Sequence, residues 1–208
     1  RDLTVHLQDA EGTRRTWYAG QDAWAMDAGD LDGDGALDLL VANRNAERVS
    51  LLRGDGGAWR SGRRIPVADG PVAIAPLPDG RLASVSALTD AVELVDPATG
   101  SITARWESIG RGVDQAVAVA LDAGPAPELA LRAGGTLRIV QDLDAGRITS
   151  LEVGATSGAL VPLPSGLLVL DEASARALRI RDRGSFADFL IGNVQLGSFM
   201  MYERALTD

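Results

Sequence analysis

The chain contains no cysteine and only one histidine among its 208 residues. Without cysteine, disulfides, thiolate metal sites and a cysteine nucleophile are all excluded. A catalytic dyad or triad with a histidine base would have to be built on His6. Strand alternation places His6 on the polar face of its segment, together with Thr4 and Gln8. We therefore expect His6 to be a solvated strand residue and the chain to be non-enzymatic.

Long apolar runs and clustered positive charge are also lacking. No apolar stretch approaches the roughly 20 residues that a membrane-spanning helix needs, so no membrane span is predicted. The net charge is −9, and the basic residues occur singly or in pairs. Nucleic-acid binding depends on clustered lysine and arginine, so a nucleic-acid partner is not expected. The sequence starts at Arg1 without a secretion signal, and we expect either a mature product after cleavage or a segment of a longer protein.

Aromatic residues make up only 4% of the chain, whereas glycine is plentiful at 24 residues. No long stretch has helical periodicity. Short apolar runs alternate instead with turns that contain Gly, Asp or Pro, as in Asp55-Gly56 and Asp144-Ala145-Gly146. This pattern predicts an all-β chain with many hairpins.

The most informative stretch is Asp30-Leu31-Asp32-Gly33-Asp34-Gly35-Ala36-Leu37-Asp38. Carboxylates held this close repel one another and raise each other's pKa unless a cation neutralises them. A hard divalent ion, Ca²⁺ above all, accepts oxygen ligands from such a loop, and glycines permit its sharp turn. An EF-hand would need a glutamate at the twelfth position, which here is Val41, and a helix on each side. The EF-hand interpretation therefore fails.

The segment 28–43, together with 48–57, resembles the FG-GAP or VCBS repeat of the integrin-alpha-N-terminal-like β-propellers. That family carries a D-x-D-G-D-G-x-x-D calcium loop between the first two strands of a blade. The resemblance implies a propeller fold and a Ca²⁺ site. Its ligands would be the side chains of Asp30, Asp32, Asp34 and Asp38 and the backbone carbonyl of Ala36.

Three partial repeats of the loop occur further along the chain. If Leu31, Leu77, Leu121 and Leu163 are equivalent, the spacings are 46, 44 and 42 residues, which is the size of a four-stranded propeller blade. Two of these partial repeats contain one aspartate each, Asp79 and Asp122, and the third has Ser165 instead. We therefore expect one calcium site rather than four.

Each unit contains four β-like runs in the same order. The first run is small and apolar, as the crowded inner strand of a blade requires. The four sets of runs are residues 23–26, 37–42, 48–53 and 63–67; 72–75, 81–86, 91–95 and 101–106; 116–120, 128–132, 136–140 and 147–153; and 159–161, 166–170, 177–181 and 186–191. A β-sandwich would not repeat a four-run unit with the same loop, so a β-propeller is predicted.

We predict a single propeller domain over 1–208, with blades at 23–70, 71–114, 115–157 and 158–193. Residues 1–22 resemble the last two strands of a partial blade. Residues 194–208 either begin a further blade or close the ring. The alternatives are a five-bladed ring closed by the C-terminal residues or part of a six- or seven-bladed propeller, and we lean slightly towards the latter or a poorly closed ring.

Two sets of side chains outside the loop invite functional interpretation. Trp17, Trp24, Trp59 and Trp106 could stack on carbohydrate, but one tryptophan per blade is more typical of packing between blades. Acidic residues such as Glu93 and Glu128 fall at turns or strand ends, and we expect them to be solvated.

The sequence favours a non-enzymatic, calcium-stabilised module that binds a protein or glycan partner, in adhesion for example. A loop of modest affinity would be filled by millimolar extracellular Ca²⁺, so we expect a secreted, periplasmic or cell-surface location in a bacterial-like setting. The alternative is an accessory propeller subunit of a membrane or electron-transfer complex, or a non-catalytic domain of a polysaccharide-degrading enzyme. Nothing within the chain separates these functions, because propellers host many of them.

Overall fold

The structure, a computed structural model, describes residues 2–8, 12, 14–55, 59–121, 126–153, 158–164, 166–171, 176–182, 189–194 and 202–205. These residues form nineteen β-strands, and no helix occurs among them. Consequently none of the residues in these ranges forms a helix that could cross a membrane. The predicted β-propeller fold, built from four-stranded antiparallel blades, is confirmed.

The chain begins with a two-stranded antiparallel sheet of β1 (Asp2–Gln8) and β2 (Arg14–Gln21). Blade one follows, with its strands in sequence order across the sheet. It contains β3 (Ala23–Gly29), β4 (Asp38–Asn43), β5 (Arg48–Gly54) and β6 (Trp59–Pro66).

The next two blades repeat this order. Blade two contains β7 (Pro71–Pro76), β8 (Leu82–Ser86), β9 (Ala91–Val95) and β10 (Ile102–Glu107). Blade three contains β11 (Val113–Val119), β12 (Glu128–Ala133), β13 (Thr136–Gln141) and β14 (Arg147–Glu152). Each strand pairs antiparallel with the next, as the predicted hairpins require.

The fourth blade has five strands: β15 (Leu160–Leu163), β16 (Gly166–Asp171), β17 (Arg176–Asp182), β18 (Phe189–Val194) and β19 (Tyr202–Ala205). The C-terminal strand β19 pairs with β18 at the edge of this blade. The loop remnants Asp122 and Ser165, and the predicted strand residues 186–188, lie outside the described residues, as do residues 195–201.

The sixteen predicted runs all correspond to strands, with bounds that differ by a few residues. Among the described residues, the largest difference at one end of a strand is in β6. β6 begins at Trp59 instead of residue 63, because a register shift between Ser50 and Leu52 lets it continue pairing as far as Gly54. Strand pairing that passes through a bulge has no simple alternation in sequence, which is why the early start was missed.

The chain divides into two compact units, Arg1–Arg111 and Gly112–Asp208. In the first unit, one apolar cluster joins blades one and two and includes Leu40, Leu51, Ile65, Leu82 and Val95. A second cluster joins the β1–β2 sheet to the other face of blade one. In the second unit, Leu137, Ile139, Leu167 and Ile180 lie in a cluster between blades three and four. Face-to-face burial of successive sheets thus provides the core of each unit.

Candidate metal centre

The acidic loop connects β3 to β4, the first two strands of blade one. Gly33 and Gly35 have φ angles of 77° and 84°, a left-handed conformation that glycine adopts without a steric penalty. These two glycines turn the chain sharply, so that aspartates at alternate positions face one another. The loop therefore has the position in the blade that the resemblance implies.

The loop brings three of the predicted ligands together. Ligand atoms from Asp30, Asp32 and Asp34 all lie within 4.8 Å of one another. Asp32 and Asp34 are exposed and Asp30 is half-buried. Three carboxylates at this separation form the oxygen-rich donor set that Ca²⁺ prefers. The chemistry of these residues therefore fits a calcium ion.

Hydrogen bonds within the loop fix these carboxylates in place. Asp30 accepts the N–H groups of Gly35 and Gly33, at 3.0 and 2.7 Å, and Asp34 accepts the N–H of Ala36 at 2.8 Å. The Gly35 N–H, assisted by that of Gly33, lowers the pKa of the Asp30 carboxyl below its ordinary value. Asp30 therefore remains ionised, as a metal ligand must. Each of its oxygens keeps a lone pair beyond the one that the N–H uses.

Asp38, the fourth predicted side-chain ligand, has a different environment. It is 1% exposed, and its Oδ1 accepts the Gly54 N–H at 3.0 Å. Its Oδ2 lies 2.6 Å from the Arg53 guanidinium and 3.4 Å from the Leu31 nitrogen. The structure does not bring Asp38 into the group formed by the other three carboxylates. Its carboxylate instead ties the end of the loop to the neighbouring strand β5.

A similar contact between a buried acid and a backbone N–H of the loop occurs in blade three at Glu128. Asp38 pairs with Gly29 across the sheet, and Glu128 pairs with Val119 in the corresponding position. Glu128 is 3% exposed and accepts the N–H of Leu121 at 2.9 Å, just as Asp38 faces the N–H of Leu31. Between Leu121 and Glu128 the sequence has only one aspartate. In blades one and three, a buried acid at the start of the second strand thus makes the same contact, and in blade three it does so without the full calcium motif.

The expectation that Glu93 and Glu128 are solvated was wrong. Glu93 is 1% exposed within β9, where it accepts the Ala68 N–H at 2.7 Å and lies 2.5 Å from Arg105. Glu128 is buried with the partner described above. Both acids are compensated by hydrogen bonds, as burial of a charge requires. The partners lie seven or more residues away in sequence, so local sequence gives no sign of them.

A fifth acid, Asp27, lies on β3 just before the loop. It accepts the Ala28 N–H at 2.8 Å. Burial raises the pKa of Asp27, and the hydrogen bond opposes this only in part. Asp27 is therefore a weaker candidate ligand than the loop aspartates, whose carboxylates face one another.

Arg53 is a residue of this loop's surroundings that sequence analysis missed. Its guanidinium lies 2.9 Å from Asp32 and 2.6 Å from Asp38, so it joins one converging carboxylate to the buried one. The register of the folded hairpin brings it there, because Leu39 pairs with Leu52, and Asp38 and Arg53 are the residues next to this last pair.

His6 lies exposed on β1, where strand alternation places it. Its Nε2 is 3.0 Å from Thr4 Oγ1 and its Nδ1 is 2.9 Å from Thr16 Oγ1. Val5, on the opposite face, is buried in the core. The surroundings of His6 are those of a hydrogen-bonded surface strand residue.

The four tryptophans have different environments. Trp17 and Trp59 pack against each other with ring centroids 6.0 Å apart, and Trp17 Nε1 donates to the Trp59 carbonyl at 3.0 Å. Trp106 is half-buried on β10. Trp24 is 56% exposed, with the Arg44 guanidinium 4.3 Å from its ring centroid. Packing explains Trp17 and Trp59, whereas Trp24 presents aromatic surface to solvent.

No protein-family model matches the chain, and no curated protein matches its sequence. Solved structures do match. Virginiamycin B lyase from Staphylococcus aureus aligns with 99% of this chain at 13% identity and a TM-score of 0.58, and a catalytically inactive variant of it with quinupristin aligns with 92% at 13% identity and a TM-score of 0.60.

A protein from Lactobacillus plantarum aligns with 97% of the chain at 13% identity and a TM-score of 0.55. The matches cover 64% of the chain of the first lyase structure, 70% of its variant and 71% of the Lactobacillus protein, so this chain spans less than two thirds of the first. At these identities the likeness is one of architecture alone. The comparisons place the chain among proteins with the β-propeller fold.

Proposed function

We propose that this chain is a calcium-stabilised propeller module of the FG-GAP/VCBS type, which binds a protein or glycan partner outside the cell and catalyses no reaction itself. The observation that carries the proposal is the convergence of Asp30, Asp32 and Asp34 within 4.8 Å, in the loop between the first two strands of a blade. Negatively charged carboxylates at this distance repel one another. A divalent cation between them would turn this repulsion into a stabilising interaction.

The residues of the loop each have a part in holding the ion. Asp30, Asp32 and Asp34 would supply carboxylate oxygens, and the positive φ angles of Gly33 and Gly35 keep these carboxylates on one side of the turn. Bound calcium would supply positive charge that fixes the loop. Extracellular calcium-binding modules have dissociation constants of about 10⁻⁴–10⁻³ M, which millimolar calcium satisfies and resting cytosolic calcium does not. This favours a secreted, periplasmic or cell-surface location.

Exposed aromatic surface supports the partner-binding role. Trp24 and Met26 lie on β3, and their side chains are 56% and 58% exposed. The two alternate along the strand with half-buried residues, so they share one face. Tryptophan combines a large apolar area with few rotatable bonds, which suits it to stacking on a sugar ring or to anchoring a protein contact. Among the residues that the structure describes, Trp24 is an exposed aromatic side chain suited to such recognition.

The first experiment measures unfolding by calorimetry in excess Ca²⁺ and in chelator, for the wild type and for Asp34→Asn. Calcium that binds only the native state raises its stability by about 2.7 kcal/mol at one hundred times the dissociation constant. We expect a calcium-dependent rise in the unfolding temperature of the wild type that Asp34→Asn largely abolishes. Asp55→Asn is the matched control, because Asp55 pairs with Arg60 outside the group of three carboxylates.

An unchanged unfolding temperature in the wild type on adding calcium would contradict the calcium site. The partner is tested separately, by binding of the purified chain to a glycan array and to intact cells in the presence of calcium. Binding that Trp24→Ala removes without lowering the unfolding temperature supports the module. Isolation of the chain only in a fixed stoichiometric complex would favour the accessory-subunit alternative.

A further inference from the structure

Arg53 has an unusual position for a surface arginine, because one of its nitrogens contacts two carboxylates of the loop. Its Nη1 lies 2.9 Å from Asp32 Oδ2 and 2.6 Å from Asp38 Oδ2. The Arg53 side chain is 29% exposed, whereas that of Asp38 is 1% exposed. Arg53 therefore brings positive charge to the edge of the group of three carboxylates.

Backbone pairing fixes this contact. β4 and β5 pair as far as Leu39 opposite Leu52, and Asp38 and Arg53 are the residues next to this last pair. The next residue, Gly54, donates its N–H to Asp38. A side chain at Gly54 would come within 2.3 Å of the Leu37 carbonyl oxygen, so β5 and the end of the loop approach too closely for a Cβ at this position. The arginine is held at the loop by the sheet, independently of any ion.

Charge balance explains why such a residue is needed. Burying the Asp38 carboxylate without a cation nearby would be costly, and the three converging carboxylates repel one another. Asp38 already accepts a backbone N–H, but only Arg53 provides a full positive charge to it among the ion pairs of the described residues. Arg53 also contacts Asp32, which belongs to the proposed calcium site.

We propose that Arg53 is the resident counter-ion of the loop: it holds Asp32 and Asp38 in place without calcium, and calcium that binds Asp32 competes with the positive charge of Arg53 for this carboxylate. The proposal rests on the calcium site proposed above and adds a residue that sets its affinity. Arg53 keeps its contact with Asp38 when the ion binds. The loop is then folded in both states, and calcium binds more weakly than three carboxylates alone would bind it.

Blade two has a similar arginine–aspartate ion pair in a loop that lacks the calcium motif. There Asp79 is the acid of the corresponding turn, and Arg81 contacts its Oδ2 at 2.7 Å through Nη2 and at 2.8 Å through Nε. Arg81 directly precedes the second strand, β8, whereas Arg53 lies on β5 beside the second strand of its blade. An arginine thus neutralises the loop carboxylate in a turn with a single aspartate, which is the role assigned to Arg53 in the loop with four.

The test compares Arg53→Gln with the wild type and with Arg48→Gln, a control at the opposite end of the same strand. Calcium binding is measured by isothermal titration calorimetry, and unfolding is measured in chelator and in calcium. We expect Arg53→Gln to bind calcium on the order of tenfold more tightly, since a positive charge next to the ion is removed. We expect its unfolding temperature to fall in chelator and to recover in calcium. Arg48→Gln should change neither quantity.

An affinity of Arg53→Gln equal to or weaker than that of the wild type would overturn the proposal. If neither chain binds calcium, the calcium site itself fails. In that case, Arg53→Gln would lose stability in chelator and would not recover it in calcium, which distinguishes failure of the calcium site from failure of the role of Arg53. If Arg53→Gln does not fold, the side-chain NMR signals of Arg53 in the wild type replace it: they should shift on calcium addition while those of Arg48 do not, and an unchanged Arg53 signal overturns the proposal.

Discussion

At the residue scale, a carboxylate in this chain takes its role from its hydrogen-bond partners and its burial. Asp34 is exposed and accepts one N–H within its own loop, whereas Asp38, four residues later, is buried and contacts Gly54 and Arg53. Both residues belong to one sequence motif. One carboxylate is available to an ion, and the other is part of the sheet.

Replacement of Asp38 by alanine should therefore destabilise the chain even in chelator. The substitution leaves the Gly54 N–H without its acceptor and Arg53 without its buried partner, which costs about 3 kcal/mol of unfolding free energy. Asp34→Ala in the same buffer should cost no more than about 0.5 kcal/mol. Urea unfolding of both variants measures the difference. Equal losses would show that Asp38 is no more essential to the sheet than Asp34.

At the element scale, the sheets within each compact unit are held together by apolar contacts. Leu40 on β4 is fully buried in the cluster that also contains Leu82 and Val95 of blade two. Both faces of β4 are buried, which explains why all six of its residues are. β3 differs, because Trp24, Met26 and Ala28 on one of its faces remain exposed.

Leu40→Ala should lower the unfolding free energy by about 2–5 kcal/mol, since a fully buried leucine leaves a cavity. Leu88→Ala is the matched control, because Leu88 is 63% exposed and its truncation should change stability by about 0.5 kcal/mol at most. Both variants are measured by urea unfolding followed by tryptophan fluorescence. A loss for Leu40→Ala as small as that for Leu88→Ala would contradict the assigned core.

At the scale of the whole molecule, the two compact units each have their own apolar core. In repeat architectures, stability is approximately a sum of the contributions of each repeat and of its contacts with its neighbours. All four tryptophans lie in the first unit, at positions 17, 24, 59 and 106. Tryptophan fluorescence therefore reports on the first unit, and far-UV circular dichroism reports on both.

Leu137→Ala removes a fully buried side chain from the core of the second unit. We expect it to lower the urea midpoint seen by circular dichroism more than the midpoint seen by tryptophan fluorescence. Leu40→Ala, in the first unit, should lower the fluorescence midpoint at least as much. If Leu137→Ala shifts both midpoints equally, the chain unfolds as one cooperative unit instead.

The β-propeller fold and the order of strands within each blade could be predicted from the amino-acid sequence. Short apolar runs, regular turns and a repeat of about 44 residues indicate local structure. Local structure depends mainly on residues that are close in sequence. The approach of Asp30, Asp32 and Asp34 could be predicted for the same reason, because all three lie within five residues around two glycines. Whether they hold calcium stays a prediction.

Which charged residues stabilise the fold depends on contacts between residues that are distant in sequence. Arg53 contacts Asp32 across 21 residues, and Glu93 meets Ala68 across 25. The tertiary structure also separated Trp17, which packs against Trp59, from the exposed Trp24. Burial and long-range pairing depend on how the sheets stack and on the strand register. Sheet stacking and register in turn depend on contacts throughout the folded chain. The aspartate motif therefore predicts a site, while the packed sheet decides which of its carboxylates remain available.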